Sequence, residues 1–136
     1  RICTFNKVNK TFTLHLVPCV ALFLNGSVKL PKKSREAIKN LDNNCFVCIA
    51  SVWEIALKLS LKKLQLHVEF NRLSTALTGN KIDILPLTFE HLIHLSELKF
   101  NHRDPFDRIL VCQAIVEDLT IITGDEHIKL YPVKIL

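Results

Sequence analysis

Four acidic residues stand where polar chain meets apolar runs. Asp104 and Asp107 lie three residues apart in His102-Arg103-Asp104-Pro105-Phe106-Asp107-Arg108, bracketed by bases and followed at once by the apolar run Ile109-Leu-Val-Cys-Gln-Ala-Ile-Val116. Glu54 comes shortly after the apolar run Cys45-Phe-Val-Cys-Ile-Ala50, and Asp125 shortly after Leu119-Thr-Ile-Ile-Thr123. Carboxylates gathered from separate segments suit a hard divalent cation such as Mg²⁺ or Mn²⁺, which takes oxygen ligands. Such an ion lowers the pKa of a bound water and neutralises charge on a phosphate oxygen, the requirements of phosphodiester hydrolysis.

Each acid also has a structural reading. Ser51-Val-Trp-Glu54 has the form of a capping box with Glu54 at the third helical position. Asp104-Pro105-Phe106-Asp107 puts an acid at the N-cap, proline at the first helical position and a second acid at the third. Acids near a helix start also favour the helix dipole. Capping does not require the bases beside Asp104 and Asp107, nor does it require the three junctions to share one edge of a sheet.

The elements that must position these acids alternate in type. Thr11 to Val17 reads as a first strand, with Phe12, Leu14 and Leu16 alternating, and Cys19 to Leu24 as a short helix stopped by Asn25-Gly26. A charged helix opens at Pro31 or Ser34 and ends near Asn40. Cys45 to Ala50 has the continuous apolar character of a buried parallel strand. Helices are predicted from Ser51 to about Lys63, with Val52, Ile55, Ala56 and Leu59 inward, and from Phe70 to Leu77. A short strand spans Ile82 to Leu85. A helix from Thr88 to Leu98 turns Leu92, Leu95 and Leu98 inward, and the most buried helix runs from Pro105 to Asp118. Leu119 to Thr123 is a strand, and Pro132 to Leu136 adds an edge strand. This alternation implies an α/β fold with a mostly parallel sheet covered on both faces. Sites in such folds form beyond the carboxyl ends of the strands, where the acids fall.

The chain has 136 residues and 49% hydrophobic residues, with 3 Gly and 5 Pro. That is the composition of one globular domain over residues 1–136, neither disordered nor low in complexity. A formal charge of +5 favours a polyanionic partner such as nucleic acid without establishing one. Lys58, Lys62 and Lys63 read as a solvated face or as a track for a phosphate backbone. The five cysteines are scattered, and Cys45 and Cys48 have no second pair to complete a zinc site, so they read as free core thiols of a reducing cytoplasm. The six histidines show no metal-binding motif, and Trp53 reads as core packing rather than as a base-stacking platform. The apolar stretch from Leu14 to Leu24 behind Arg1, Lys7 and Lys10 superficially resembles a signal peptide, but His15 and Pro18 interrupt it and it is too short to span a bilayer. A secreted or membrane-anchored binding protein rests on residues 1–24 alone. Residues 1–16 are atypical, and with no Met in the chain they read as a misassigned start or the edge of a fragment.

Three segments, Ala50-Ser-Val-Trp-Glu-Ile-Ala-Leu-Lys-Leu-Ser-Leu-Lys-Lys-Leu64, His102-Arg-Asp-Pro-Phe-Asp-Arg-Ile-Leu-Val-Cys-Gln-Ala114 and Leu119-Thr-Ile-Ile-Thr-Gly-Asp125, closely resemble PIN-domain proteins, in particular the VapC-type toxins of bacterial toxin–antitoxin pairs. The resemblance runs from about residue 20 to the C-terminus. It implies a three-layer α/β/α fold around a mostly parallel sheet and a cytoplasmic Mg²⁺- or Mn²⁺-dependent endoribonuclease. It further implies a homodimer, an RNA substrate and inhibition by a cognate antitoxin protein, with no role for a membrane.

Position by position, the resemblance makes Glu54, Asp107 and Asp125 the second, third and fourth metal-site acids. Asp104 matches a recurrent acid that supports the site or caps the helix. Arg108 is expected to orient a carboxylate or contact phosphate, and Arg103 and Lys58 to contact substrate. The departure is at the first acid. The family ends its first strand with Asp-Thr-His or similar; here the aligned triplet is Val17-Pro18-Cys19, or Leu16-Val17-Pro18 in the neighbouring register. A nuclease impaired at this position is therefore expected. The alternative is a non-catalytic PIN domain that binds an antitoxin or RNA.

Overall fold

The computed structural model describes the backbone of residues 11–14 and 16–136 and the side chains of Thr11 and residues 19–136. The described residues form five strands: β1 (Thr11–Leu14), β2 (Asn44–Cys48), β3 (Ile82–Leu85), β4 (Thr120–Ile122) and β5 (Lys134–Ile135). Among the described residues six α-helices accompany them: α1 (Leu16–Leu24), α2 (Lys32–Lys39), α3 (Ile49–Ser60), α4 (Leu73–Gly79), α5 (Phe89–Glu97) and α6 (Pro105–Val116). Every strand pairing is parallel, in the order β3-β2-β1-β4-β5. All carboxyl ends therefore lie on one edge, as the α/β reading requires.

Period-two alternation splits the strand residues between two cores. Cys45 and Val47 of β2, Ile82 of β3 and Ile122 of β4 pack with Val20, Ile38, Ile55, Leu73 and Leu77 of the helices on one face. Cys48 of β2 and Ile121 of β4 pack with Ile109, Leu110, Val111 and Ala114 of α6 on the other. The result is three layers, α/β/α. The same alternation sends Cys45 and Cys48 to opposite faces, so this pair cannot share a metal. Cys19, Cys45, Cys48 and Cys112 are free and buried, as expected of core thiols, while Cys3 lies outside the described residues. Burial pushes the thiols of Cys19 and Cys45 up to about 11.

Several boundaries differ from the sequence expectation. The first strand stops at Leu14 instead of Val17, and α1 begins at Leu16 instead of Cys19. Pro18 falls in the helix's first turn, where its missing N–H costs no hydrogen bond. Cys19 and Val20 of this helix are buried in the core, and the Cys19 thiol donates to the Ile122 carbonyl at 3.3 Å. The signal-like stretch is thus partly core helix, and no helix among the described residues is long and apolar enough to cross a membrane. Leu92, expected inward, is exposed, whereas Leu95 and Leu98 do pack against the core.

The helix α5 is tied to α6 by His91, which is fully buried. The backbone N–H of Thr88 donates to His91 Nδ1 at 3.0 Å, which leaves Nε2 to donate to Glu117 at 2.8 Å. His91 also closes a capping box with Thr88 at the start of α5. His91→Ala is expected to cost about 2–4 kcal/mol, combining a cavity with a lost clasp between two helices. Chemical denaturation of the variant checks this.

Candidate metal centre

The sheet edge at the carboxyl ends collects the acids. Glu54 lies on α3, which follows β2 directly; Asp125 lies three residues beyond the end of β4. Asp104 and Asp107 open α6, which leads into β4 and so starts at that edge. Two aromatic rings fix α3 against α6. Trp53 and Phe106 meet edge to face, with centroids 5.2 Å apart, and each precedes one of the acids in sequence.

Glu54 is not a capping residue. The helix begins at Ile49, two residues before Ser51, with Cys48 at the N-cap and no side-chain cap. Glu54 is therefore in the second turn, beyond the orphan amides of the helix start. Glu54 is 8% exposed, and its carboxylate is held by Lys58 at 3.2 Å. Burial raises its carboxyl above the ordinary carboxylate range, and the charges of Asp104 and Asp107 push the same way, while Lys58 pulls it down by hydrogen bond and charge. A buried carboxylate placed within the field of two others, with one lysine to offset them, is costly as structure and useful as a cation site.

That cost has a consequence in the ion-free protein. Because the folded state raises the pKa of Glu54, folding favours the protonated form. Stability on its account is greatest below the unfolded pKa and is lost as pH rises through the folded value. Glu54→Gln is therefore expected to raise the melting temperature at neutral pH without metal. The gain should shrink as pH falls below the ordinary glutamate range, and thermal melts at two pH values check both signs.

Asp104 caps α6, its Oδ1 accepting from the N–H of Phe106 at 2.8 Å and of Asp107 at 3.3 Å. The capping reading of Asp104 holds, and its carboxylate also offers an oxygen to a compact set. One atom each from His102, Asp104 and Asp107 lies within 4.8 Å of the others. Asp107 is 4% exposed and faces His102, whose Nε2 is 3.1 Å from Asp107 Oδ2.

Asp125 lies outside that compact set and reaches it through imidazoles. Asp125 Oδ1 accepts from the His127 backbone N–H at 2.9 Å and from His127 Nδ1 at 3.1 Å. The His127 ring stacks on that of His102, centroids 4.4 Å apart and planes 17° from parallel. The loop carrying His102 is pinned by the buried Tyr131, whose hydroxyl accepts from the His102 N–H at 2.9 Å, and by Asn101, which donates to the Leu130 carbonyl at 3.1 Å. The chain Asp107–His102–His127–Asp125 thus crosses the edge from α6 to the loop after β4.

Two residues behave differently from the sequence expectation. Arg108 was expected at a carboxylate or a phosphate. It is buried, and its guanidinium donates to the carbonyls of Lys99 at 2.9 Å and Leu98 at 3.2 Å and stacks on Phe100 at 4.2 Å. Those carbonyls lie just past the end of α5, so Arg108 holds the start of the His102 loop. Trp53, expected in the core, is 61% exposed, because the inward face of α3 carries Val52, Ile55 and Leu59. Arg103 is exposed beside the acids, and Lys58 reaches them through Glu54. The junction after β1 carries no acid in either register; the side chains of Leu16 and Val17, and all of His15, lie outside the described residues.

A parallel α/β/α sheet with acids converging on its carboxyl edge has a counterpart among known families. Residues 19–134 match the family model of the PIN domain. The chain belongs to the PIN-domain family. No curated protein matches it. PIN domains are generally metal-dependent nucleases, and the donors here fit a divalent cation: carboxylate oxygens and an imidazole nitrogen, drawn together at one edge.

Proposed function

We propose that this PIN domain is a Mg²⁺- or Mn²⁺-dependent endoribonuclease of the VapC toxin type, acting in the cytoplasm as a homodimer and restrained by a cognate antitoxin protein. The observation that carries the metal-site reading is Glu54: a buried carboxylate with no capping duty, under the charges of Asp104 and Asp107. Glu54, Asp107 and Asp125 are the ion's acids, with Asp104 supporting them. A bound ion supplies a water of lowered pKa and offsets charge on a phosphoryl oxygen.

The chain's own residues do the rest. Lys58, already over Glu54, presents positive charge where a phosphate would approach. Arg103 adds a second cation at the rim, and the +5 net charge draws RNA in. Arg108 positions the loop instead of touching substrate. His102 and His127 orient the carboxylates of Asp107 and Asp125 from outside or join them. Ile49, Trp53 and Leu57 of α3, with Leu61 just past its end, form an exposed apolar row, which supports burial against another protein chain.

The second reading, a non-catalytic PIN domain that binds antitoxin or RNA, is favoured by one observation: the junction after β1 lacks the first acid. Cleavage of a single-stranded RNA with Mn²⁺, then in excess EDTA, separates the two. The nuclease reading expects cleavage with Mn²⁺ only; binding without cleavage supports the second. Under either, RNA affinity should fall as salt rises, roughly tenfold or more between 50 and 200 mM for a few phosphate contacts. Salt-independent affinity in a filter-binding titration would count against RNA as the ligand.

A further inference from the structure

We propose that His102 is a nitrogen ligand of the divalent ion and that this donor tilts the site toward Mn²⁺ over Mg²⁺; the inference rests on the metal reading above. The sequence offered no histidine motif, and the structure supplies one in space. His102 shares a compact set with Asp104 and Asp107, their donor atoms all within 4.8 Å of one another. His102 Nε2 stands 3.1 Å from Asp107 Oδ2. Two ligands at right angles on an ion with bonds of about 2.0–2.3 Å lie roughly 3 Å apart, so this separation already suits a shared ion.

The ring is also held for the task. The backbone N–H of His102 is fixed by the Tyr131 hydroxyl at 2.9 Å, and the ring is backed by His127 in a parallel stack at 4.4 Å. His127 is itself anchored on Asp125 through Nδ1 at 3.1 Å. Facing Asp107, the His102 Nε2 carries a proton, since a carboxylate only accepts. Ligation uses the lone pair of Nε2, so that proton must leave, to Nδ1 or to solvent. Imidazole suits transition ions, whereas Mg²⁺ prefers oxygen and dehydrates reluctantly. A site with one nitrogen among carboxylates therefore discriminates between the two ions that carboxylates alone accept more evenly.

Pulsed electron paramagnetic resonance of the Mn²⁺-loaded protein reads the ligand directly, because a coordinated imidazole couples its ¹⁴N to the manganese electron spin. The expected result is a ¹⁴N coupling in the unmodified chain, retained in His127→Phe and lost in His102→Phe, a substitution that keeps an aromatic ring on His127. In calorimetry His102→Phe should weaken Mn²⁺ about tenfold or more and Mg²⁺ by less than about threefold. Bound Mn²⁺ with no nitrogen coupling in the unmodified chain would overturn the proposal and leave the carboxylate site standing. A coupling that survives His102→Phe and vanishes in His127→Phe would overturn it in favour of the other ring. Absence of any Mn²⁺ binding would overturn this inference and the metal reading together.

Discussion

Asp107→Asn is expected to lower RNA cleavage by about 10²–10³-fold, the worth of a few kcal/mol of charge stabilisation at the transition state. The substitution keeps the side chain's shape and one acceptor oxygen. It removes the charge that the proposed ion needs from the most buried acid of the edge, 4% exposed. Folding should be spared, because the cap of α6 belongs to Asp104, whose Oδ1 holds the amides of Phe106 and Asp107. Single-turnover cleavage beside circular dichroism checks both halves. Undiminished cleavage in a folded variant would place the chemistry elsewhere.

A gain is expected at the opposite end of the chain. The family's first acid ends its first strand; here β1 ends at Leu14 and α1 begins at Leu16. Of the two registers considered for a restored acid, Leu16 stands closer to that strand end, and Val17 is already the second residue of the helix. An Asp at residue 16 would also favour the helix dipole. It would return the carboxylate that the family places beside the other three. Leu16→Asp is therefore expected to raise Mn²⁺-dependent cleavage by about tenfold or more, with Val17→Asp raising it less. If the unmodified chain cleaves RNA at a rate neither variant improves, the acids already present suffice and the chain is not impaired.

The fold was legible because the signals for it are local. Cys45 to Cys48 is apolar on both sides, as a strand covered by helices must be, and Asp104-Pro105 announces a helix start within three residues. Boundaries were less legible where one apolar pattern serves two elements. Leu16 continues the alternation of Phe12 and Leu14 yet opens a helix, and Ile49-Ala50 continues the apolar run of β2 yet already belongs to α3. That second shift of two residues changes the meaning of Glu54, from a capping acid to a buried one. The placement of the acids at one sheet edge was legible from their junctions. His102 and His127 were not, because they lie 25 residues apart in sequence and meet only when Tyr131 and Asn101 fold the loop after α5 onto the C-terminal segment. Trp53 and Arg108 misled for a shared reason: a residue type states its preference for burial or charge, whereas helix rotation decides which neighbour it meets.

The central claim, a divalent-cation centre at the carboxyl edge, is tested most directly by an anomalous difference map at the manganese edge from crystals grown with Mn²⁺. A peak is expected about 2.0–2.3 Å from the Asp107 carboxylate, on the side facing Asp104 and Glu54. It should be absent from crystals of Asp107→Asn grown the same way. No peak at this edge under saturating Mn²⁺, or an equal peak in Asp107→Asn, would contradict the assignment of these acids to a metal.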